Sequence, residues 1–501
     1  MLQRRALHRQ SLPLPVNERP NVRSFLYLAC SGLAVLSVLV APGCGSDSDA
    51  GGSSGSSGSS GCTGFGCATQ DGGRPGCVGL ECNQVTCTGG ATTLSGRVLD
   101  PAGKVPIYNA AVYVPNRETT TITTGLGTAC DRCDANVSGS PIALTTTDAS
   151  GNFLLENVPS GVDFPLVIQI GKWRRKITIP KVGSCSTTTA SPGETRLPRN
   201  RGEGDIPRIA LTTGSADPLE CLLRKIGVDD SEFGTAGSDA RIHLYAGGST
   251  APASATSTFQ GGTALAAATG LWSNVNELRK YDIVMLSCEG GELESTKPTS
   301  SRQALYDYAR VGGRVFTSHY HHFWFSNSPV PEVKALATWT NDFTCRGGGC
   351  TIVEEPSPTL AVNATVNTAF PKGAAMKEWL RNTQSLTGPG ETLPIQEARH
   401  NVDAVTSNAL SWMTIANPAA GGRTAHEYIS FNTPVGAPDA EVCGRVVYSD
   451  LHVGAGDNTG VAFPGGCVTA DLSPQQKALE FMLFDLSSCI QKDDLPPVQP
   501  R

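Results

Sequence analysis

Charge is scarce in this chain, and a basic stripe is missing. Charged residues make up 17% of 501 positions against 39% apolar ones, a balance that suits a globular protein with polar linkers rather than a disordered one. The formal net charge is −6, and residues 1–43 hold five Arg and one Glu, so the remainder stands near −10. Without a basic patch there is no source for the phosphate-neutralising term that dominates nucleic-acid affinity, so a nucleic-acid partner is excluded. Zinc-type cysteine pairs two residues apart are lacking between residues 62 and 90, where the pairs are separated by four. The oxygen ligands of a calcium loop are lacking around Asp148, which leaves that residue a turn aspartate. No cofactor is expected.

What the chain does hold is cysteine, seventeen in all, together with 56 Gly and 33 Pro. So many thiols suit an oxidising compartment, where they pair. The start of the chain agrees. Arg4, Arg5, Arg9, Arg19 and Arg23 precede an uncharged apolar run from Ser24 to Val40, which Ala41-Pro42-Gly43-Cys44 closes. This end resembles the lipobox of bacterial lipoproteins. The resemblance implies cleavage after Gly43, acylation of Cys44 and retention by acyl chains in a bilayer. Gly45 and Ser46 lack the Asp that holds such proteins at the inner membrane, which by the same resemblance favours the outer membrane of a Gram-negative cell. A flexible Gly/Ser tether, 44–61, follows.

Residues 62–91 place Cys62, Cys67, Cys77, Cys82 and Cys87 among Gly and polar residues, a segment that crosslinks must hold, with at least one partner elsewhere. Residues 92–204 read as short strands with regular turns, hence an all-β sandwich. Here SGRVLDPAG, AAVYV and TDASGNFLLENVPSG resemble the carboxypeptidase regulatory-like (transthyretin-like) domain. That resemblance implies a non-catalytic module, some relatives of which bind carbohydrate. Cys130 and Cys133 have redox spacing but lie between strands rather than at a helix start, so structural disulfides are expected.

Residues 205–490 alternate strands with helices, which indicates an α/β doubly wound parallel sheet; residues 491–501 are expected to be a disordered tail. The order DIVMLSCEGG, helix, GGRVFTSH, and later RVVYSDLH before a helix resembles the class I glutamine amidotransferase-like proteins, especially the ThuA-like branch. The family's nucleophile elbow, G-x-C-x-G, is absent. Its place reads Ser318-His319-Tyr320-His321, and Gly454 stands where a Glu would follow the late His452, so the amidotransferase triad is not carried over.

Strand ends on one edge of such a sheet are where ligands bind, and three readings compete there. Cys288 follows one strand and precedes Glu289-Gly290-Gly291, whose amides suit an anion; with His319 or His452 as base and Asp450 to orient it, these residues would make a thiol hydrolase. Parity supports a lone thiol, because removing Cys30 and Cys44 leaves an odd number, although Cys221 or Cys443 could pair with Cys288. Alternatively His319, His321, His322 and His452, with Glu292, would hold a metal, since His319 and His321 alternate at a strand end and reach one face. The leading reading is a non-catalytic binding module for a glycan or peptidoglycan, with Glu289, Gly290, Gly291, Glu292, His321, His322 and Trp324 facing the ligand.

Overall fold

The computed structural model of the chain describes residues 76–501, apart from 128–129, 134, 249–254, 341–342, 347–348, 353–361, 397 and 454–455, and describes only the backbone of 343–346 and 349–352. All of these belong to one compact unit that begins at Thr63. The expected signal peptide, Cys44, the tether, Cys62 and Cys67 lie outside the described residues.

Two small sheets come first. Thr93–Arg97 pairs antiparallel with Asn152–Glu156 and parallel with Thr187–Thr189. The second sheet runs Pro141–Thr146, Ala111–Pro115, Phe164–Ile170 and Trp173–Ile179, antiparallel throughout. Asn152–Glu156 alternates exposed and buried, so Phe153 and Leu155 join Leu94, Val112, Leu166 and Ile168 in one apolar core. Asp148 is the turn aspartate the sequence implies: its Oδ1 accepts the N–H groups of Ser150 and Asn152, each at 2.8 Å.

The larger sheet has eleven strands and corrects the expectation of a purely parallel one. Ala266–Ala267, Ile242–Ala246, Ile209–Thr212, Ile283–Leu286, Arg314–Ser318 and Gly444–Ser449 lie parallel in that order, and Phe233–Thr235 pairs parallel with Ile242–Ala246 off this path. Beyond Gly444–Ser449 the sheet continues antiparallel through Arg423–Thr433, Leu410–Asn417, Val362–Val366 and Leu393–Ile395. The reason is connection length. Leu410–Asn417 and Arg423–Thr433 are joined by a tight turn, Pro418–Ala420 with Gly421 and Gly422 at positive φ, and strands joined so closely cannot run parallel. The result is a mixed, sheet-rich α/β architecture.

The helices follow their local signals. In Thr299–Ala309 the residues Ala304, Leu305, Tyr308 and Ala309 are buried, as their spacing requires. Pro474–Ser487 starts with a capping box between Ser473 and Gln476, and nearly all of it is buried between the two small sheets and the large one. Its Phe484 packs edge-on against Trp173, and Phe481 stacks on Tyr108. Pro218 takes the cap position of the helix Leu219–Lys225, and Asp217 accepts the N–H of Val453 at 2.8 Å.

Disulfides tie the two regions together. Cys130 bonds Cys443 and Cys133 bonds Cys489, across 313 and 356 residues, so the redox-spaced pair is two separate staples. Cys77–Cys82, Cys87–Cys185 and Cys221–Cys467 complete the set among the described residues. Crosslinks that close such long loops remove conformational freedom from the unfolded chain. The expected disordered tail is also corrected. Asp493 is buried, Gln499 donates to the carbonyl of Leu144 at 2.8 Å, and the carbonyl of Arg501 accepts from Val137 at 2.7 Å.

Asp493 belongs to a buried ion network that fastens this end. Arg445 spans Asp485 and Asp493, each at 2.6 Å, and Lys372 meets Asp485 at 3.0 Å. Burial pushes the Asp485 carboxyl up, but Arg445 and Lys372 outweigh it and hold it below the ordinary value. This contribution to stability is therefore present at neutral pH and is lost as pH falls below about 4. Arg445→Met strands two buried carboxylates and is expected to cost about 3–5 kcal/mol in urea unfolding at pH 7, with a smaller penalty at pH 3. An equal penalty at both pH values would show that the network does not hold the tail.

Candidate active site: a buried thiol–imidazole centre

The centre arises from strand register. Ile283–Leu286 and Arg314–Ser318 lie side by side in parallel with Leu286 opposite Thr317, so the residues just beyond each strand, Cys288 and His319, emerge together. Cys288 is fixed through its backbone: its N–H donates to Ser318 Oγ at 2.9 Å and its carbonyl accepts from Ala216 at 3.1 Å. A Cβ at Gly214 would collide with that carbonyl, so the loop 214–217 can lie against the site only with glycine there.

His319 stands at φ +43, a left-handed conformation uncommon for a residue with a side chain, directly after a strand and before the helical turns His319–His322 and Phe323–Ser326. A residue so placed between strand and helix is held out at a sharp elbow, the geometry in which hydrolases present a nucleophile. Here the elbow presents an imidazole and the neighbouring strand supplies the thiol.

Cys288 Sγ lies 3.4 Å from His319 Nδ1, and that nitrogen lies 3.1 Å from His452 Nε2. The Gly290 N–H points at Sγ from 3.4 Å. On the far side, a guanidinium nitrogen of Arg399 is 3.3 Å from His452 Nδ1. Arginine only donates, so this contact makes Nδ1 of His452 an acceptor and puts the ring proton on Nε2, facing His319. His319 Nδ1 thereby accepts from His452, and the Cys288 thiol competes for the same lone pair. Burial, with the nearby His452 and Arg399, holds His319 well below the usual histidine range, so it is neutral at pH 7. Cys288, His319 and His452 are 0%, 2% and 2% exposed.

Cys288, His319 and His452 also bring their donor atoms within 4.8 Å of one another, the spacing of a metal site. The ligand set differs from the expected one, because His321 is engaged elsewhere. Its Nε2 donates to the Ser287 carbonyl and its Nδ1 accepts from Trp324 Nε1, both at 2.7 Å. Arg399 weakens the fit of the remaining three: it keeps a proton on the His452 nitrogen that would bind the ion and sets a positive charge beside it.

The expected ligand-facing group is largely interior. Residues 319–322 form a 3-10 turn rather than the end of a strand, so alternation does not apply and His321 turns away from His319. Trp324 is buried and packs edge-on against Trp272. His322 lies 3.3 Å from both Ser326 and Glu292, and burial holds it down at about 3. Glu289 pairs with buried Lys297 and accepts the Gly248 N–H at 2.6 Å, so its carboxylate points inward. Gly290 supplies positive φ for the turn that leads to Gly291. Asp450 holds the segment carrying Arg399: it accepts from the Asn401 N–H at 2.6 Å and the Tyr448 hydroxyl at 2.8 Å, and its carbonyl accepts the Arg399 N–H at 2.9 Å. Sequence reading missed Arg399 and Tyr448. Tyr448 was findable, because Tyr448 and Asp450 share a face two residues apart. Arg399 comes from a loop that carries no pattern.

No family model matches the chain, and no curated protein is significantly similar to it. Among solved structures its neighbours include ThuA-like proteins from Bacteroides uniformis and Parabacteroides merdae, 11% and 12% identical. Each covers 58% of this chain and 96% of its own, with a TM-score of 0.29. A cohesin–X-dockerin complex from Acetivibrio cellulolyticus matches 30% of this chain and 78% of its own, at 19% identity and a TM-score of 0.14.

Cys288 is the free cysteine among the described residues, while Cys221 and Cys443 are both paired. Alkylation of unreduced, denatured protein followed by peptide mapping is expected to modify Cys288 and to recover Cys221 and Cys443 only in crosslinked peptides. Recovery of Cys288 in a disulfide would remove the centre.

Proposed function

We propose that the α/β region carries a cysteine-dependent acyl-transfer centre of hydrolase type, displayed outside the cytoplasm on a lipid-anchored chain. The observation that carries this reading is the contact of the free Cys288 thiol with the neutral imidazole of His319 at 3.4 Å. Cys288 Sγ attacks the carbonyl carbon of an ester or amide as its proton passes to His319 Nδ1. The intermediate collapses, the C–O or C–N bond breaks, and the leaving group takes the proton from His319. Water then cleaves the thioester, releasing the acid and restoring the thiol. In the resting centre His452, held by Arg399, donates to His319 Nδ1 and fixes its tautomer, and this hydrogen bond breaks as the same nitrogen takes the thiol proton; the Gly290 N–H stabilises the thiolate.

A second reading, a non-catalytic envelope protein that holds a glycan, draws support from the closure of the same centre. A thiol with no exposed surface meets substrate only after its cover moves. Hydrolysis of a panel of p-nitrophenyl esters and anilides separates the two readings. The catalytic one expects turnover that Cys288→Ala abolishes and His319→Ala lowers by about 100- to 10,000-fold. Turnover untouched by either change, or none on any substrate, leaves the second reading standing.

Export is supported by the five disulfides, which persist in oxidising compartments. Lipid anchoring at Cys44 rests on the lipobox resemblance and favours the outer membrane. In a Gram-negative host, Cys44→Ser is expected to abolish incorporation of labelled fatty acid and to move the protein out of the membrane fraction. Full retention of label would refute the anchor.

A further inference from the structure

One buried ammonium holds both ends of the turn that touches the thiol. Lys297 Nζ pairs with the Glu289 carboxylate, both side chains being fully buried, and donates to the Glu292 carbonyl at 2.9 Å. These two partners flank Gly290 and Gly291. Between them the Gly290 N–H points at Cys288 Sγ from 3.4 Å. Lys297 is itself fixed by its neighbours. Its Nζ stands 5.4 Å from the centre of the Trp272 ring, and the Trp272 indole N–H donates to the adjacent Thr296 carbonyl at 2.9 Å. Arg302 donates to the carbonyl of Lys297 at 2.6 Å.

The turn needs such a grip. Gly290 stands at φ +77, and Leu293 at φ +45, a left-handed conformation disfavoured for a bulky side chain and kept only where the surroundings enforce it. Stability alone does not account for the ion pair. Burial pulls the Lys297 ammonium down and pushes the Glu289 carboxyl up, so both charges are held against their preference, and packed apolar side chains would serve the fold as well. Cys288 raises Lys297, so thiol and ammonium lie within each other's field. The other titratable groups beside the pair are engaged elsewhere: the Glu292 carboxylate meets His322 at 3.3 Å, and His321, 4.0 Å from Glu289, bonds Ser287 and Trp324.

We propose that Lys297 is a positioning residue for the thiol: through the Glu289 carboxylate and the Glu292 carbonyl it holds the Gly290 N–H on Cys288 Sγ and so favours the thiolate. This role rests on the reading of Cys288 as a nucleophile, and it gives control of the nucleophile's ionisation to a residue that acts through the turn.

A thiolate absorbs in the ultraviolet where a thiol does not. The titration of Cys288 is therefore read in the native full-length protein as the difference between each protein and the same protein carrying Cys288→Ala. Lys297→Met leaves the Glu289 carboxylate buried without its cation, which threatens the fold. The double variant Lys297→Met with Glu289→Gln removes both charges, and Gln keeps an acceptor for the Gly248 N–H. Circular dichroism melting checks that each folds. In both variants the Cys288 midpoint is expected to rise by about one pH unit, a roughly tenfold loss of thiolate below the midpoint. In the double variant such a rise reads the displaced N–H rather than a lost charge, because the pair removed is neutral overall. A midpoint unchanged or lowered in the folded double variant overturns the role of Lys297, and ester turnover that persists there leaves the hydrolase reading standing. A raised midpoint in a protein that turns over no ester sinks the hydrolase reading and leaves the role of Lys297 in place.

Discussion

Leu286 lies opposite Thr317 at the centre of the large sheet, and this register decides what the molecule can do chemically. Parallel neighbours end on the same edge. The thiol of Cys288 and the imidazole of His319 therefore meet without either lying near the other in sequence. A one-residue slip would turn every side chain of one strand to the opposite face. Ile283, Val284, Met285 and Leu286 are all buried, as are Val315 and Phe316, so the register is held by side-chain fit on both faces rather than by an apolar–polar alternation.

That burial also sets the electrostatics. In a low dielectric the imidazoles stay neutral, and the proton on each ring is placed by what its other nitrogen touches. Arg399 thus acts through His452 on His319, two contacts from its own guanidinium. His321 lies two residues further along the chain and is held just as firmly, but by Ser287 and Trp324, so it serves packing instead. Near-identical sequence neighbours take different roles because the 3-10 turn points them in different directions.

The two regions of the chain share more than a linker. The helix Pro474–Ser487 is buried between them, and the disulfides of Cys130 and Cys133 bind the segment between Ala111–Pro115 and Pro141–Thr146 to the α/β region and the end of the chain. Rigid docking of this kind creates fixed surfaces at the junction. The thiol–imidazole centre and the cleft between the two regions differ accordingly: one is closed and the other open.

Much was legible from local chemistry alone. Ala304, Leu305, Tyr308 and Ala309 recur at helical spacing, Ser473 and Gln476 form a capping box, and Asp148 closes a turn; each depends on residues a few positions apart, and each holds. Cys288, His319 and His452 were legible as candidates because strand ends are marked by apolar runs that stop. What only the tertiary structure decided depends on partners distant in sequence. The antiparallel half of the sheet follows from short connections whose strands had weak signals. The pairing of Cys130 with Cys443 and of Cys133 with Cys489 has no local trace. The part played by Arg399 has none either, because a loop residue's neighbours are set by where the loop is laid down. The inward turn of Trp324 and His321 was hidden for the same reason: whether an aromatic at a strand end meets solvent or core depends on the dihedral angles just before it, and His319 at φ +43 sent this segment inward.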